Sequence, residues 1–224
     1  MGTFIPHLRD FEKYLLQEFS TRIKNRTIPI IAIGGFSGTG KDTVARFVQQ
    51  YFEKNHNISL KIISAGDIVR KIAIESGWKE RNLDEFMKYI QKTQNQEFAR
   101  KVDLEIEKNA LQTALLEGGI FIGRMAPYAI GTHGITIWLE VAAQVIANRI
   151  SHDINRSEYG MNEEQLIQRI KSRDRTDGER LEEIYGISFR DKKQFDFTLR
   201  NEGYSIKELR DMIEQFLHRK IPSI

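Results

Sequence analysis

Apolar positions along the chain change their period from segment to segment, and each change marks an element. Leu8, Phe11, Leu15, Phe19 and Ile23 recur every three or four residues. That spacing predicts one amphipathic helix within residues 1–28, ended by Asn25-Arg26-Thr27 and packed on the main body. Ile30-Ile31-Ala32-Ile33 then runs without polar alternation, as a strand buried on both faces does. Further strands are predicted at Leu60-Lys61-Ile62-Ile63, Ile120-Phe121-Ile122, Ile135–Leu139 and Phe195–Leu199. Helical periods separate them, opening at Thr43 and spanning about 66–76, 83–91, 93–116, 141–152 and 162–184. Ser205 and Glu208 form a capping box before a final helix through Leu209, Met212, Ile213, Phe216 and Leu217. Short strands alternating with helices predict an α/β fold around a five-stranded, mainly parallel sheet.

Composition narrows the field mainly by exclusion. The 224 residues are 40% hydrophobic and 10% aromatic, enough for a proper core. Lys and Arg number 34 against 31 Asp and Glu, a formal charge of +3 that excludes a polycation but not a local anion site. The absence of cysteine excludes disulfide scaffolds, thiolate metal sites and thiol catalysis. No apolar run approaches the roughly eighteen residues of a membrane helix. Acidic residues also arrive too early for a secretory leader, so a cytoplasmic protein without a membrane partner is expected. Aromatic–basic interleaving is missing, so no nucleic-acid partner is expected either.

Candidate chemistry begins directly after the first predicted strand. Gly35-Phe36-Ser37-Gly38-Thr39-Gly40-Lys41 fits the frame G-x-x-x-x-G-K between a buried strand and a helix N-terminus. Glycines let backbone N–H groups turn toward phosphate oxygens, and Lys41 would reach the β- and γ-phosphates as a mobile charge. Gly35, Ser37, Gly38, Thr39, Gly40, Lys41, Asp42 and Thr43 are therefore the candidate ATP-binding residues. Asp42 stands where a Ser or Thr usually follows the lysine. Thr43 is accordingly the candidate Mg²⁺ ligand, directly or through water. The strand Ile120-Phe121-Ile122 ends without a carboxylate, and Glu140 is a candidate substitute.

Other cations gather where such a site needs them. Arg70 falls about one turn into the helix after Ser64-Ala65-Gly66-Asp67, and Arg124 follows Gly123 directly after the third strand. Both belong at the ligand edge of a parallel sheet, where paired arginines bind phosphate. Arg169, Lys171, Arg173, Arg175 and Arg180 crowd a helical segment expected to break at Gly178. A mobile arginine-rich lid of this kind would steady a transferring phosphoryl group and expel water; a solvated ion-pair face has the same composition. A GTPase would carry N/T-K-x-D and D-x-x-G motifs, and neither is present.

From about residue 29 to 215 the chain resembles the cytidylate (CMP) kinases, in particular the archaeal-type branch of the P-loop nucleoside monophosphate kinases. The resemblance rests on the phosphate loop, Ser64–Asp67 with Arg70, Leu83–Tyr89, Val102–Glu107, Gly123-Arg124, Arg173-Asp174-x-x-Asp177-x-x-Arg180 and Glu183–Ile187. It implies a three-layer αβα fold on residues 29–224, with a small helical acceptor-binding region near 67–110 and a lid near 169–185. It further implies transfer from Mg²⁺-bound ATP to CMP, with dCMP as a second acceptor. Lys41, Arg173 and Arg180 become catalytic residues by this likeness, with Arg175 a further lid candidate. Arg70, Asp103, Arg124, Asp177 and Arg180 become acceptor-binding. Asp103 stands where bacterial members carry a base-reading arginine, and a carboxylate can accept from cytosine's amine; an exposed helix acid is its other reading. Met125 replaces an aspartate that helps those members read cytosine, and Ile122 replaces an acid before Gly-Arg. Two alternatives fit the same residues: a kinase for another acceptor, and a nucleotide-binding regulatory module without transfer. A monomer, or a dimer through the N-terminal helix, is expected.

Overall fold

A computed structural model describes residues 2–36, 38–78, 96–151, 161–187, 192–201 and 203–221. Five strands form one sheet: β1 (Ile30–Gly35), β2 (Ile62–Ser64), β3 (Gly119–Ile122), β4 (Ile135–Val141) and β5 (Phe197–Asn201). All pair in parallel, in the order β2-β3-β1-β4-β5. The described helices are α1 (Arg9–Glu18), α2 (Ser20–Lys24), α3 (Lys41–His56), α4 (Ala65–Glu75), α5 (Gln96–Glu117), α6 (Ala126–Ile130), α7 (Ala143–Ser151), α8 (Glu163–Tyr185) and α9 (Ile206–Lys220). None of them is long and apolar enough to cross a membrane.

Central β1 explains the layers. Its side chains alternate, so Ile31 and Ile33 face one way and Ile30 and Ala32 the other. The first pair packs with Val44, Val48 and Phe52 of α3 and Ile213 and Leu217 of α9. The second pair packs with Ile68 of α4, Ala110 and Ala114 of α5, and Ile130 of α6. Small alanines there let α5 approach the sheet. A third cluster joins Tyr128, Trp138, Tyr185 and Phe195 to Ile5, Leu8 and Leu15. Three layers result, with helices on both faces of the sheet.

Several boundaries differ from the expected ones. The N-terminal helix is broken: a 3₁₀ turn at Pro6–Leu8 precedes α1, and Phe19 separates α1 from α2 with φ −111° and ψ 24°. Its apolar stripe is nonetheless buried on the body, as the spacing predicts. β5 begins at Phe197 rather than Phe195, because both preceding residues have other commitments. Phe195 stacks on Trp138 at 5.3 Å, and Asp196 accepts hydrogen bonds from the Thr136 amide and hydroxyl at 2.9 and 3.0 Å. α6, with Pro127 in its first turn, is an element the periodicity does not announce. The segment 83–91, predicted helical, lies outside the described residues.

The expected break at Gly178 is absent. α8 is continuous over its 23 residues. A helical glycine costs about 1 kcal/mol relative to alanine without forcing a turn. Buried Ile170 before it, and Leu181 and Tyr185 after it, hold both halves on the core.

Candidate active site

β1 ends where a parallel sheet presents its crevice. Its neighbours β3 and β4 flank it there, and the Gly123 amide donates to the Ile33 carbonyl at 3.2 Å. The loop that leaves β1 depends on glycine geometry. Gly40, at the N-cap of α3, has φ +87°. Gly38 has φ +80°, and a Cβ there would meet Ile146 Cγ2 at 2.8 Å. No L-residue with a side chain fits either position without strain. The Thr39 hydroxyl donates to the Phe36 carbonyl at 2.8 Å, and the Lys41 ammonium donates to the carbonyls of Gly35 and Phe36 at 2.8 and 2.7 Å. Lys41 and the first turn of α3 are thus aimed at the loop's concavity, where the helix dipole favours anions. Ser37 lies outside the described residues.

The acceptor side grows from the end of β2. Ser64 caps α4: the Asp67 amide donates to its hydroxyl at 3.0 Å, and its own amide donates to Asp67 Oδ2 at 2.9 Å. The other Asp67 oxygen accepts from Arg70 Nη2 at 2.9 Å. Hydrogen bonds from the Ser64 hydroxyl, the Ser64 amide and Arg70 hold the Asp67 carboxyl below the usual range. The capping box therefore also tethers Arg70. Across the crevice, the Arg124 guanidinium lies over the Phe36 ring, 5.7 Å from its centroid. Phe36 in turn meets Trp138 edge-on at 6.0 Å, and a Cβ at Gly178 would lie 3.8 Å from its Cζ. One loop phenylalanine so links the phosphate loop, an arginine and α8.

These groups converge on a cavity of about 540 Å³. Lys41, Asp42, Arg70, Asp103 and Arg124, each singled out from sequence, all line it. Ile122 and Met125 form part of its wall, and Leu181 and Tyr185 of α8 close one side. Asp103 is half-buried there, which decides against its being an exposed helix acid. Thr43 is half-buried in the first turn of α3 and is not among the residues lining the cavity.

One candidate is corrected. Glu140 does not substitute for the missing strand-end acid, because Arg200 at 3.0 Å and Lys192 at 3.8 Å engage its carboxylate and it does not line the cavity. Arg175, the further lid candidate, is exposed on α8. The side chains of Arg173, Asp177 and Arg180 lie outside the described residues. Their backbone positions, spaced four and three apart, fall along one flank of α8.

Sequence inspection missed Glu107. It lines the cavity one helical turn beyond Asp103, yet is only 6% exposed. Burial first, and the charge of Asp103 second, push its carboxyl up to about 8. The i, i+4 spacing of the two acids was the available signal, but nothing local marks which of α5's acids is buried.

Residues 30–203 match the family model described as the cytidylate kinase-like family. The chain belongs to that family. Among curated relatives, the cytidylate kinase of Methanococcus aeolicus is 28% identical over 85% of this chain and 98% of its own. That of Methanopyrus kandleri is 28% identical over 86% of this chain and 97% of its own. Among solved structures, shikimate kinase from Bacteroides thetaiotaomicron superposes with a TM-score of 0.54 at 15% identity, covering 85% of this chain and 98% of that one. That likeness concerns the fold alone.

Proposed function

We infer that the protein is an ATP-dependent nucleoside monophosphate kinase that phosphorylates CMP, giving CDP and ADP, with dCMP as a second acceptor. One observation carries this reading within the family: Lys41, Arg70, Arg124 and Asp103 line a single cavity beside a glycine-built loop. Residues 29–224 are the kinase domain, with residues 1–28 as an extension docked on it. The acceptor region spans about 67–110 and the lid about 169–185. A cytoplasmic location would supply both nucleotides, and a monomer is the working unit in this reading.

In this scheme the loop amides and Lys41 hold the donor phosphates, while Arg70 and Arg124 grip the acceptor phosphate. Arg173 and Arg180, on the same flank of α8 as Asp177, stabilise the transferring group and complete the acceptor clasp. Phosphoryl transfer depends chiefly on such positioning and cationic stabilisation. The acceptor phosphate oxygen is already anionic near neutral pH, so no general base is required. Leu181 and Tyr185 of α8 keep water from competing with it. Asp42 and Thr43 offer the oxygen donors that suit Mg²⁺. In this reading the ion is carried largely by the nucleotide's phosphates. When bound, the ion neutralises charge on those phosphates. Asp103 accepts a hydrogen bond from cytosine's amine.

A coupled assay with ATP and a panel of monophosphates tests the assignment. Preferential turnover of CMP is expected. Preference for another monophosphate would reassign the acceptor, and nucleotide binding without turnover would refute the activity.

A further inference from the structure

We propose that Glu107 is a second reader of the acceptor base, donating a hydrogen bond from its carboxyl to the ring N3 of a cytosine whose amine is held by Asp103. The inference rests on the CMP reading above and deepens it.

Three observations converge. Glu107 is more than nine-tenths buried but lines the acceptor cavity, one turn of α5 beyond Asp103. Behind it the lining is apolar, from Ile63, Ile68, Ala110 and Phe121. Among the described residues no hydrogen bond or ion pair reaches its carboxyl. A buried carboxyl without a protein partner is costly, and a site that needs its hydrogen-bonding capacity for a ligand explains its presence.

Its protonation supplies the selectivity. With its carboxyl raised to about 8, first by burial and then by Asp103, Glu107 holds a proton at neutral pH. The cavity then presents an acceptor, an oxygen of Asp103, next to a donor, the Glu107 hydroxyl. Cytosine offers the complement, an amine donor next to the N3 acceptor. Uracil offers the reverse, a carbonyl next to an N3–H donor. Above about pH 8 the Glu107 donor is lost and a second negative charge appears beside Asp103. Among the described residues, the other charged or titratable groups facing the cavity are Lys41 and Asp42 of α3, Arg70 of α4, Arg124 after β3 and Tyr185 of α8.

The test is kcat/KM for CMP and for UMP between pH 6.5 and 9.5, at saturating ATP, in wild type, E107Q and E107L. Wild-type efficiency with CMP is expected to fall toward about tenfold per pH unit above the titration. E107Q, which keeps an N–H donor that does not titrate, should retain CMP turnover near neutrality and lose this alkaline fall. E107L should lower CMP efficiency by about thirtyfold, mainly through KM, with little change for UMP. An unchanged alkaline fall in E107Q overturns the proposal, and so does an unchanged CMP-to-UMP ratio in E107L. Should E107L fail to fold, the near-isosteric E107Q decides alone. Transfer to CMP with either negative result defeats only Glu107's role; no transfer to CMP at any pH defeats the CMP reading itself.

Discussion

Lys41 donates to the carbonyls of Gly35 and Phe36 in the loop it belongs to, at 2.8 and 2.7 Å. Those bonds keep a flexible side chain folded over the loop, so that little ordering remains when a polyphosphate arrives. Replacing Lys41 with alanine removes both the support and the charge. Steady-state turnover of Lys41→Ala is expected to drop by well over tenfold, which is more than about 1.4 kcal/mol at the transition state. Unchanged turnover in the purified variant would refute the donor assignment. A comparable economy governs Asp67, which caps α4 with one oxygen and holds Arg70 with the other. Asp67→Asn keeps a side-chain acceptor for the cap but removes the charge facing Arg70. The KM for CMP is expected to rise about three- to tenfold while the KM for ATP stays constant, since charge-assisted hydrogen bonds exceed neutral ones. Equal rises in both constants would mean that Arg70 is not what Asp67 positions.

Among the elements, α8 is the one whose form departs most from expectation. Its composition promised two helices hinged at Gly178, and the fold makes a single one. One end packs through Leu166 and Ile170 on Ile146 and Ala147 of α7, and the other inserts Leu181 and Tyr185 beside Trp138. Motion of this helix as a whole, rather than bending at Gly178, is the movement such anchoring favours. Gly178→Ala is a direct check. The added Cβ would meet Phe36 at an ordinary contact distance of 3.8 Å. With helical propensity improved by about 0.5–1 kcal/mol, the midpoint of thermal unfolding should rise by roughly 1–4 °C. A lower midpoint would show that the chain needs a non-helical conformation at that residue.

For the molecule as a whole, the far sheet edge is fastened by Asp196. Its carboxylate takes two hydrogen bonds from Thr136 of β4 and an ion pair with Lys220 of α9 at 2.7 Å. Burial alone would raise this carboxyl, but the bonds from Lys220 and Thr136 outweigh it and hold the group low. Its contribution to stability is therefore complete above the ordinary aspartate range and is lost as pH falls through the lowered value. Asp196→Asn should be less stable than wild type at pH 7, and the gap should narrow toward pH 3 in denaturant titrations. A gap that does not change with pH would remove Asp196 from the account of acid sensitivity. The formal charge of +3 conveys none of this. It is a sum over the whole chain, whereas the described lining of the cavity sets Lys41, Arg70 and Arg124 against Asp42, Asp103 and Glu107 within one crevice.

The order of strands and helices, the phosphate loop and the positions of Lys41, Arg70 and Arg124 follow from local rules, and sequence alone determined them. A left-handed turn requires glycine at Gly38 and Gly40, a buried parallel strand requires the unbroken run at Ile30–Ile33, and strand ends in such a sheet converge on one edge. What tertiary structure decided are the features set by distant neighbours. Packing against α7 and the aromatic cluster overrode glycine's propensity at Gly178. Trp138 and Thr136 took Phe195 and Asp196 away from β5. The α5–sheet contact, through small alanines and Phe121, turned Glu107 from one helix acid among several into a buried carboxyl facing the acceptor. Burial is a property of the assembled layers, and the free energy of a charge depends on it more steeply than on any neighbour in sequence.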